Sequence, residues 1–511
     1  MKRTLLVHAL LWTLALGTWC NTSALAQTPR NSATSEALRK PSAPSAARAV
    51  TQAAAPGTRA SVPAPPRAGT AAASRVQPAS ANVPTTSVVH EPSSIVHEHS
   101  LSPVLEMAGP HAHCADPTCL SCPSICHNPC WNWCDQWFVE GWLDQGFTGN
   151  PDAESGLVGP AGTNGPLIFN DQANEYMLNQ LYLSFGRKVD HNPYQWDLGG
   201  QVDVLYGTDY FFVQSVGLET NSDGSPKWNS GNGPRDGGNA GLYGLALPQF
   251  FVEANIPWGN GLKVKAGHFY TIMGYESVKA PENFFYSHTY MMQYGEPFTH
   301  TGMMASYETS PCMTWHGGIT RGWDTFEQEN GKVVFLGGFS WVSPHEATRL
   351  SFSIHTGSED PTGENNRTAF SIVFQQRINQ CWTYVLHQNF GTEENARVNA
   401  DGELAQATWY GLSNYLYYTV NPCLDLGVRF EWFNDRDNAR VFGLANDAVA
   451  DGGTYFDLSL GANYHPTSWF ILRPEVRWDW SDLEAPGIDG AYNNGTSNEQ
   501  FTIGFDLITV F

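Results

Sequence analysis

The densest run of reactive side chains is six cysteines: Cys114, Cys119, Cys122, Cys126, Cys130 and Cys134, spaced C-x4-C-x2-C-x3-C-x3-C-x3-C. Thiols at this density have three common uses. They pair as structural disulfides in an oxidising compartment. They hold a tetrahedral metal such as zinc, here with His111, His113 and His127 as the neighbouring imidazoles. Or, with a histidine directly after the second thiol, they attach haem covalently. Pairing is the simplest account. The run holds no CxxC…CxxC pair with a loop-sized gap, which leaves these cysteines and histidines as weak metal candidates. Cys122-Pro123-Ser124-Ile125-Cys126-His127 places three residues between its cysteines where the haem motif has two. No cofactor is expected.

Other reactive groups are sparser. Cys312, Cys381 and Cys423 fall near predicted strand ends and read as isolated thiols. Ser287-His288 is the one pair that suggests a nucleophile and its base, yet neighbours on an extended strand point to opposite faces. No G-x-S-x-G elbow is present. No enzyme is expected. Asp435 and Asp437 lie in an acidic stretch without EF-hand spacing and read as solvated carboxylates.

The remaining chemistry is electrostatic, and its placement depends on the elements that carry it. Net charge is -22 over 511 residues, which excludes nucleic acid as a partner because duplex binding needs a basic face. The acidity is not spread evenly. Residues 138–511 carry 43 Asp plus Glu against 18 Lys plus Arg, whereas 27–137 carry 6 acids and 7 bases.

The chain divides by composition. Residues 1–26 read as a secretory signal: Lys2 and Arg3, a short apolar core from Leu5 to Trp19, and Ala24-Leu25-Ala26 for cleavage. Residues 27–105 are rich in Ala, Pro and Ser and cannot bury enough apolar surface to order themselves, so they read as a disordered tether. The tether suits contacts with the cell wall or envelope proteins, although a solvated spacer is simpler. Residues 106–137 form the small Cys-rich segment. Beyond 138, Gly, Trp, Tyr and Phe become frequent.

In that last part apolar and polar residues alternate. Leu424, Leu426, Val428, Phe430 and Trp432 share one face, against Asp425, Gly427, Arg429 and Glu431. Phe470, Leu472, Val476, Trp478 and Trp480 alternate with Arg473, Glu475, Arg477 and Asp479; Val202 and Val204 flank Asp203, and Leu262 and Val264 flank Lys263 and Lys265. Period 2 means strands with two unlike faces. Trp196, Trp315, Trp341, Trp409, Trp432, Trp469 and Trp480 fall near strand ends or on apolar faces, as side chains at a bilayer interface do. Phe501, Ile503, Phe505 and Leu507 alternate up to the terminal Phe511, a pattern like the assembly signal read by the outer-membrane insertion machinery.

These features predict an all-β fold: one transmembrane antiparallel barrel over 138–511, of about 16 strands, with 14 to 18 compatible. Sixteen strands leave room for an aqueous channel. Lys263, Lys265, Asp203, Glu253, Asp425, Arg429, Glu431, Arg473, Glu475 and Arg477 then line the lumen. The stretches 206–247, 271–300, 435–453 and 481–499 suit outer loops, one of them turning inward to narrow the pore. Asn421-Pro422 and His465-Pro466-Thr467 suit tight turns on the inner side.

Three stretches carry a resemblance: Gly141-Trp142-Leu143-Asp144-Gln145-Gly146-Phe147-Thr148-Gly149-Asn150; Asn164 through Phe169-Asn170-Asp171 to Leu178-Asn179-Gln180-Leu181-Tyr182; and GHFYTIMGYESVKAPENFFYSHTYMMQYGEPFTHTG over 267–302. From residue 138 onward the sequence resembles the bacterial outer-membrane putative β-barrel porin-2, or OmpL-like, family. The resemblance implies a barrel, a porin role and no catalytic residues. The expectation is a bacterial outer-membrane porin for passive diffusion of small hydrophilic solutes or ions, with its N-terminal segment in the periplasm. The other reading is an outer-membrane anchor for a disulfide-crosslinked periplasmic segment. Expected partners are outer-membrane lipid, the assembly machinery and further copies of the chain.

Overall fold

The computed structural model describes residues 136–153, 163–229, 241–327, 330–360, 362–398, 403–441, 452–483 and 489–511. The signal segment, the tether and almost all of the Cys-rich segment lie outside the described residues. So do the weak metal candidates Cys114, Cys119, Cys122, Cys126, Cys130, Cys134, His111, His113 and His127.

The described residues form sixteen strands. They are Trp137–Gly149 (β1), Tyr176–Arg187 (β2), Asp197–Gly207 (β3), Gly244–Ile256 (β4), Leu262–Tyr270 (β5), Thr299–Ser310 (β6), Met313–Thr320 (β7) and Val334–Val342 (β8). The second half comprises Thr348–Ser358 (β9), Asn366–Arg377 (β10), Trp382–Val398 (β11), Leu404–Asn421 (β12), Leu424–Asp435 (β13), Gly453–Thr467 (β14), Phe470–Ser481 (β15) and Glu499–Val510 (β16). Each strand pairs antiparallel with the next. β1 pairs with β16, from Trp142 opposite Val510 to Gly149 opposite Ile503, so the barrel is closed and has no free edge. β1 begins at Trp137, one residue before the start at 138 expected from composition.

The alternation read from the sequence becomes two faces. On β13, Val428 and Phe430 face outward at 40% and 39% exposure, while Arg429 and Glu431 between them are fully buried. Trp478 and Phe505 are exposed while Arg477 and Asp506 are buried. A wall that shows apolar side chains outward all round suits lipid, where every backbone group must be paired within the barrel. Trp315, Phe339, Phe352, Phe370, Phe390, Tyr410 and Trp432 form a continuous outer aromatic band across β7 to β13. Successive ring centroids are 5.4 to 6.5 Å apart. Trp409 departs from the expected pattern: it points into the barrel and is fully buried.

Antiparallel order puts alternate connections on opposite rims. One rim carries only short links: 188–196, 257–261, 311–312, 343–347, 378–381, 422–423 and 468–469. The other carries the long segments, including 150–175, 208–243, 271–298, 436–452 and 482–498. Two expectations are corrected here. His465-Pro466-Thr467 belongs to the end of β14, not to a turn. The register slips between Tyr464 and Thr467, which accommodates a proline without an N–H, and the turn itself is Ser468-Trp469. Cys423 is not an isolated thiol: it is disulfide-bonded, whereas Cys312 and Cys381 are free.

Candidate pore and inward segment

Segment 271–298 joins β5 to β6 on the long-loop rim and runs into the barrel. Two short helical turns, Ala280–Glu282 and Met291–Gly295, give it its bends. Residues 283 to 298 are all buried, and Asn283, Ser287, His288, Thr289, Gln293 and Glu296 among them are polar or charged, so their backbone and side chains need partners inside the lumen.

Space for this segment comes from glycines on the inner wall. Phe284, Phe285 and Tyr286 are consecutive, and each ring sits over a wall glycine: Phe284 over Gly427 on β13, Phe285 over Gly461 on β14 and Tyr286 over Gly146 on β1. A Cβ at Gly427 or Gly146 would collide with the ring, and at Gly461 it would lie 2.9 Å from Phe285. Close approach, not backbone freedom, is what these positions require.

Charged wall residues hold the segment's backbone. Arg429 donates from Nη1 to the Ser287 carbonyl at 2.6 Å and from Nη2 to the Ser287 hydroxyl at 2.9 Å. Arg473 donates from Nη1 to the carbonyls of Ala280 at 2.8 Å and Asn283 at 2.6 Å. Arg477 donates from Nη1 to the His288 carbonyl at 2.6 Å. Glu431 accepts the backbone N–H of Tyr290 at 2.6 Å and of Met291 at 2.8 Å; Glu475 accepts that of Ser287 at 3.2 Å. The arginines are neutralised by wall carboxylates: Arg429 by Asp457 at 2.6 Å, Arg477 by Asp479 at 2.7 Å, and Arg473 by Asp506. Guanidinium groups suit this work because their fixed fork binds a carboxylate and a carbonyl at once.

The segment supplies charges of its own. Glu276 pairs with Arg429 at 3.2 Å and with His288 Nδ1 at 3.1 Å, and it accepts the N–H of Thr289 at 2.9 Å. Burial raises its pKa, but Arg429 and His288 outweigh burial and hold it at about 2. Glu296 contacts His387 Nε2 on β11 at 2.8 Å. Asp324, in the link after β7, accepts the N–H groups of Phe298 at 2.9 Å and Thr299 at 2.7 Å, and burial pushes its pKa up to about 6. One apolar cluster joins Met273, Tyr290, Met291 and Tyr294 of the segment to wall residues such as Phe269, Leu336, Trp409 and Tyr455. The segment therefore meets the wall on several sides.

The residues expected to line the lumen all turn inward but fall into two groups. Arg429, Glu431, Arg473, Glu475 and Arg477 are buried against the inward segment. Asp203 is buried too, accepting bonds from Ser184 at 2.6 Å, Gln201 at 2.8 Å and Gln249 at 2.7 Å. Asp425 lies near the short-turn rim, 3.8 Å from His465 Nε2. Lys263 and Lys265 are only partly buried: Lys263 Nζ is 3.3 Å from Glu308, and Lys265 Nζ lies 4.2 Å above the Phe251 ring, opposite Glu253 in register. Beside them the inner face of β6 to β9 carries small or short side chains (Gly302, Ser306, His316, Gly318, Gly338, Ser340 and Ser351) that are likewise half-buried.

Sequence reasoning did not single out Glu276, Glu296, His387 or the wall glycines. Glycine at inward positions of otherwise regular strands was the available signal. Ser287 and His288 engage different partners, Ser287 Oγ with Arg429, Arg477 and Glu475, and His288 with Glu276.

Residues 138–511 match the profile of the family described as putative β-barrel porin-2, OmpL-like. Among solved structures, the outer-membrane channel DcaP of Acinetobacter baumannii is similar at 10% identity, covering 73% of this chain and 97% of its own, with a TM-score of 0.45. An anion-selective porin from Comamonas acidovorans is similar at 9% identity over 73% and 99%, with a TM-score of 0.44. OmpF of Salmonella typhi, in complex with daunomycin, is similar at 8% identity over 73% and 97%, with a TM-score of 0.46. No curated protein matches the chain.

Proposed function

We propose, for a chain that belongs to the putative β-barrel porin-2, OmpL-like family, a passive pore whose bore is set by the inward segment 271–298. As a member of that family it is an outer-membrane porin, and small hydrophilic solutes or ions diffuse through it. Its outward apolar face is its contact with outer-membrane lipid. The observation that carries the reading of the bore is the triple arginine clamp: Arg429, Arg473 and Arg477 all bind carbonyls of one segment inside one lumen.

The half-buried wall of β5 to β9 supports a water path on that side. Its Gly and Ser residues add little bulk, and Lys263 and Lys265 lie along it opposite Glu308 and Glu253. Charges on such a wall set ion preference through the field they create. No reaction is assigned, since Ser287 and His288 are engaged as structural bonds. The short-turn rim is read as the periplasmic side, as in other outer-membrane barrels, and the N-terminal segment is proposed to belong to that compartment. Self-association is read by crosslinking in native membranes, where a single band at monomer mass excludes it. Planar-bilayer recording in a salt gradient tests the path. Changing Lys263 and Lys265 to Glu should move the reversal potential toward cation preference; an unmoved potential places the path elsewhere.

A second role is favoured by one observation. The apolar cluster joins the inward segment to wall residues of β5, β8, β12 and β14, through Phe269, Leu336, Trp409 and Tyr455, so the barrel also suits anchoring.

A further inference from the structure

We infer that the outer face of β11 and β12, centred on Gln388 and Asn414, is where a second copy of this chain docks in the plane of the membrane. The inference rests on the lipid-facing reading of the outer wall and is independent of whether the barrel conducts.

On β11 and β12 the even-numbered residues point outward, since His387, Asn389, Ser413 and Tyr415 between them are buried on the inner side. Aromatic pairs bound this outward face at both ends. Trp382 lies opposite Tyr418 near the short-turn rim, with ring centroids 4.7 Å apart. Phe390 lies opposite Tyr410 toward the long-loop rim, with ring centroids 6.5 Å apart. Aromatic girdles of a membrane barrel mark its two interfaces, so the positions between these pairs lie at hydrocarbon depth. Two of them carry amides. Gln388 pairs across the strands with Leu412, and Asn414 with Leu386. The flanking strands add only apolar neighbours, Ile372 of β10 beside Gln388 and Phe430 of β13 beside Asn414.

The barrel does not satisfy these amides. Asn414 Oδ1 accepts the Tyr384 hydroxyl at 2.7 Å, but its Nδ2 finds no acceptor among the described residues. Gln388 makes no side-chain hydrogen bond among the described residues, with Asn414 or any other. Lipid tails neither donate nor accept, so an amide turned to them keeps the full cost of leaving water. Whatever covers this face must bring donors and acceptors to the same depth.

A second copy does so. An amide both donates and accepts, and is therefore complementary to itself. Copies inserted in one direction into one membrane are related by an axis along the membrane normal, and rotation about that axis keeps every residue at its own depth. The two amides of one copy then meet those of the next, within a surround of leucine side chains that pack on their own counterparts. Polar side chains bonded across an apolar contact join membrane-spanning segments in this way. The Tyr384 bond already orients the Asn414 amide, so less ordering is left for docking to impose.

The test places a photoreactive benzoylphenylalanine at Leu412 of the full mature chain in outer membranes. A second variant carries it at Ile503, which is exposed on the outward face of β16. After irradiation, adducts are separated on denaturing gels and both components are identified by mass spectrometry. The expected result is an adduct of the chain with itself from Leu412 and none from Ile503. Gln388→Leu combined with Asn414→Leu should reduce that adduct several-fold while the heat-modifiable barrel keeps its level, because leucine suits a lipid-facing position. Four results would overturn the inference: no self-adduct from Leu412, an undiminished one in the double leucine variant, one from Ile503 as strong as that from Leu412, or Leu412 joined to a different protein.

Discussion

Arg429 on β13 reaches into the lumen and donates to the Ser287 carbonyl at 2.6 Å, while its Nε holds Asp457 at 2.6 Å. One side chain thus ties the inward segment to the wall and keeps a buried carboxylate paired.

Arg429→Ala removes both functions. It leaves Asp457 and Glu276 buried with less positive charge, at a cost of about 3–5 kcal/mol for an unpartnered buried charge. The expected outcome is a lower melting temperature for the heat-modifiable barrel on gels and an inward segment newly open to added protease. Arg429→Lys should fall between, because an ammonium cannot reproduce the fork. Unchanged protease resistance in Arg429→Ala would show that the clamp is not what holds the segment.

Gly427→Leu places a side chain where the Phe284 ring sits. The barrel should still form, since Gly427 lies in a regular strand, but 271–298 should become cleavable. Adding Phe284→Ala should restore part of the protection. If Gly427→Leu alone keeps the segment protected, the ring-over-glycine fit is not a determinant of its position.

The pH dependence follows from Glu276. Its pKa is lowered from 4.5 to about 2, with burial opposed by Arg429 and His288. A depressed carboxyl contributes stability above its unfolded value and loses it as pH falls. The contribution, about 3 kcal/mol by linkage, is complete above pH 4.5 and lost on descent toward 2. Asp324, raised to about 6, acts oppositely: its proton uptake favours the folded state as pH falls from 6 toward its ordinary value of 3.8. Conductance should therefore stay flat or fall slightly between pH 7 and 4.5 and rise below 4.5. Glu276→Gln should remove the lower rise; a rise that persists in it assigns the effect to another group.

The sixteen strands were legible because one rule, period 2, applies at every position of a lipid-facing wall. Val428 and Arg429 needed no further context to be sent to opposite faces. The inward fold of 271–298 was legible only as a long distinctive stretch. What fixes it are backbone carbonyls at Ala280, Asn283, Ser287 and His288, which every residue type provides and no pattern marks. Among the charged residues of the wall, nothing local in the sequence distinguishes a half-buried one, such as Lys263, from one buried against the segment, such as Arg473. Trp409 was misread for the same reason: its inward direction follows from register with Gly391 and Asp435, not from its type.

Closure of the barrel makes a prediction at its last residue. Phe511 and Gly141 exchange two backbone hydrogen bonds, each 2.9 Å. Deleting Phe511 removes both and leaves the β1 edge at Gly141 unpaired. The folded, heat-modifiable form should drop several-fold in the membrane fraction, and Phe511→Tyr should retain it. Equal yield from the deletion would show that the seam closes without this residue.

The most direct measurement compares single-channel conductance of the full mature chain with that of a variant carrying Arg429→Ala and Arg477→Ala, in the same bilayer and salt. The account predicts stable steps for the native chain and larger steps for the variant, since the clamped segment is what narrows the bore. Equal steps would contradict the role of the clamp, and no steps from either folded barrel would contradict the pore itself.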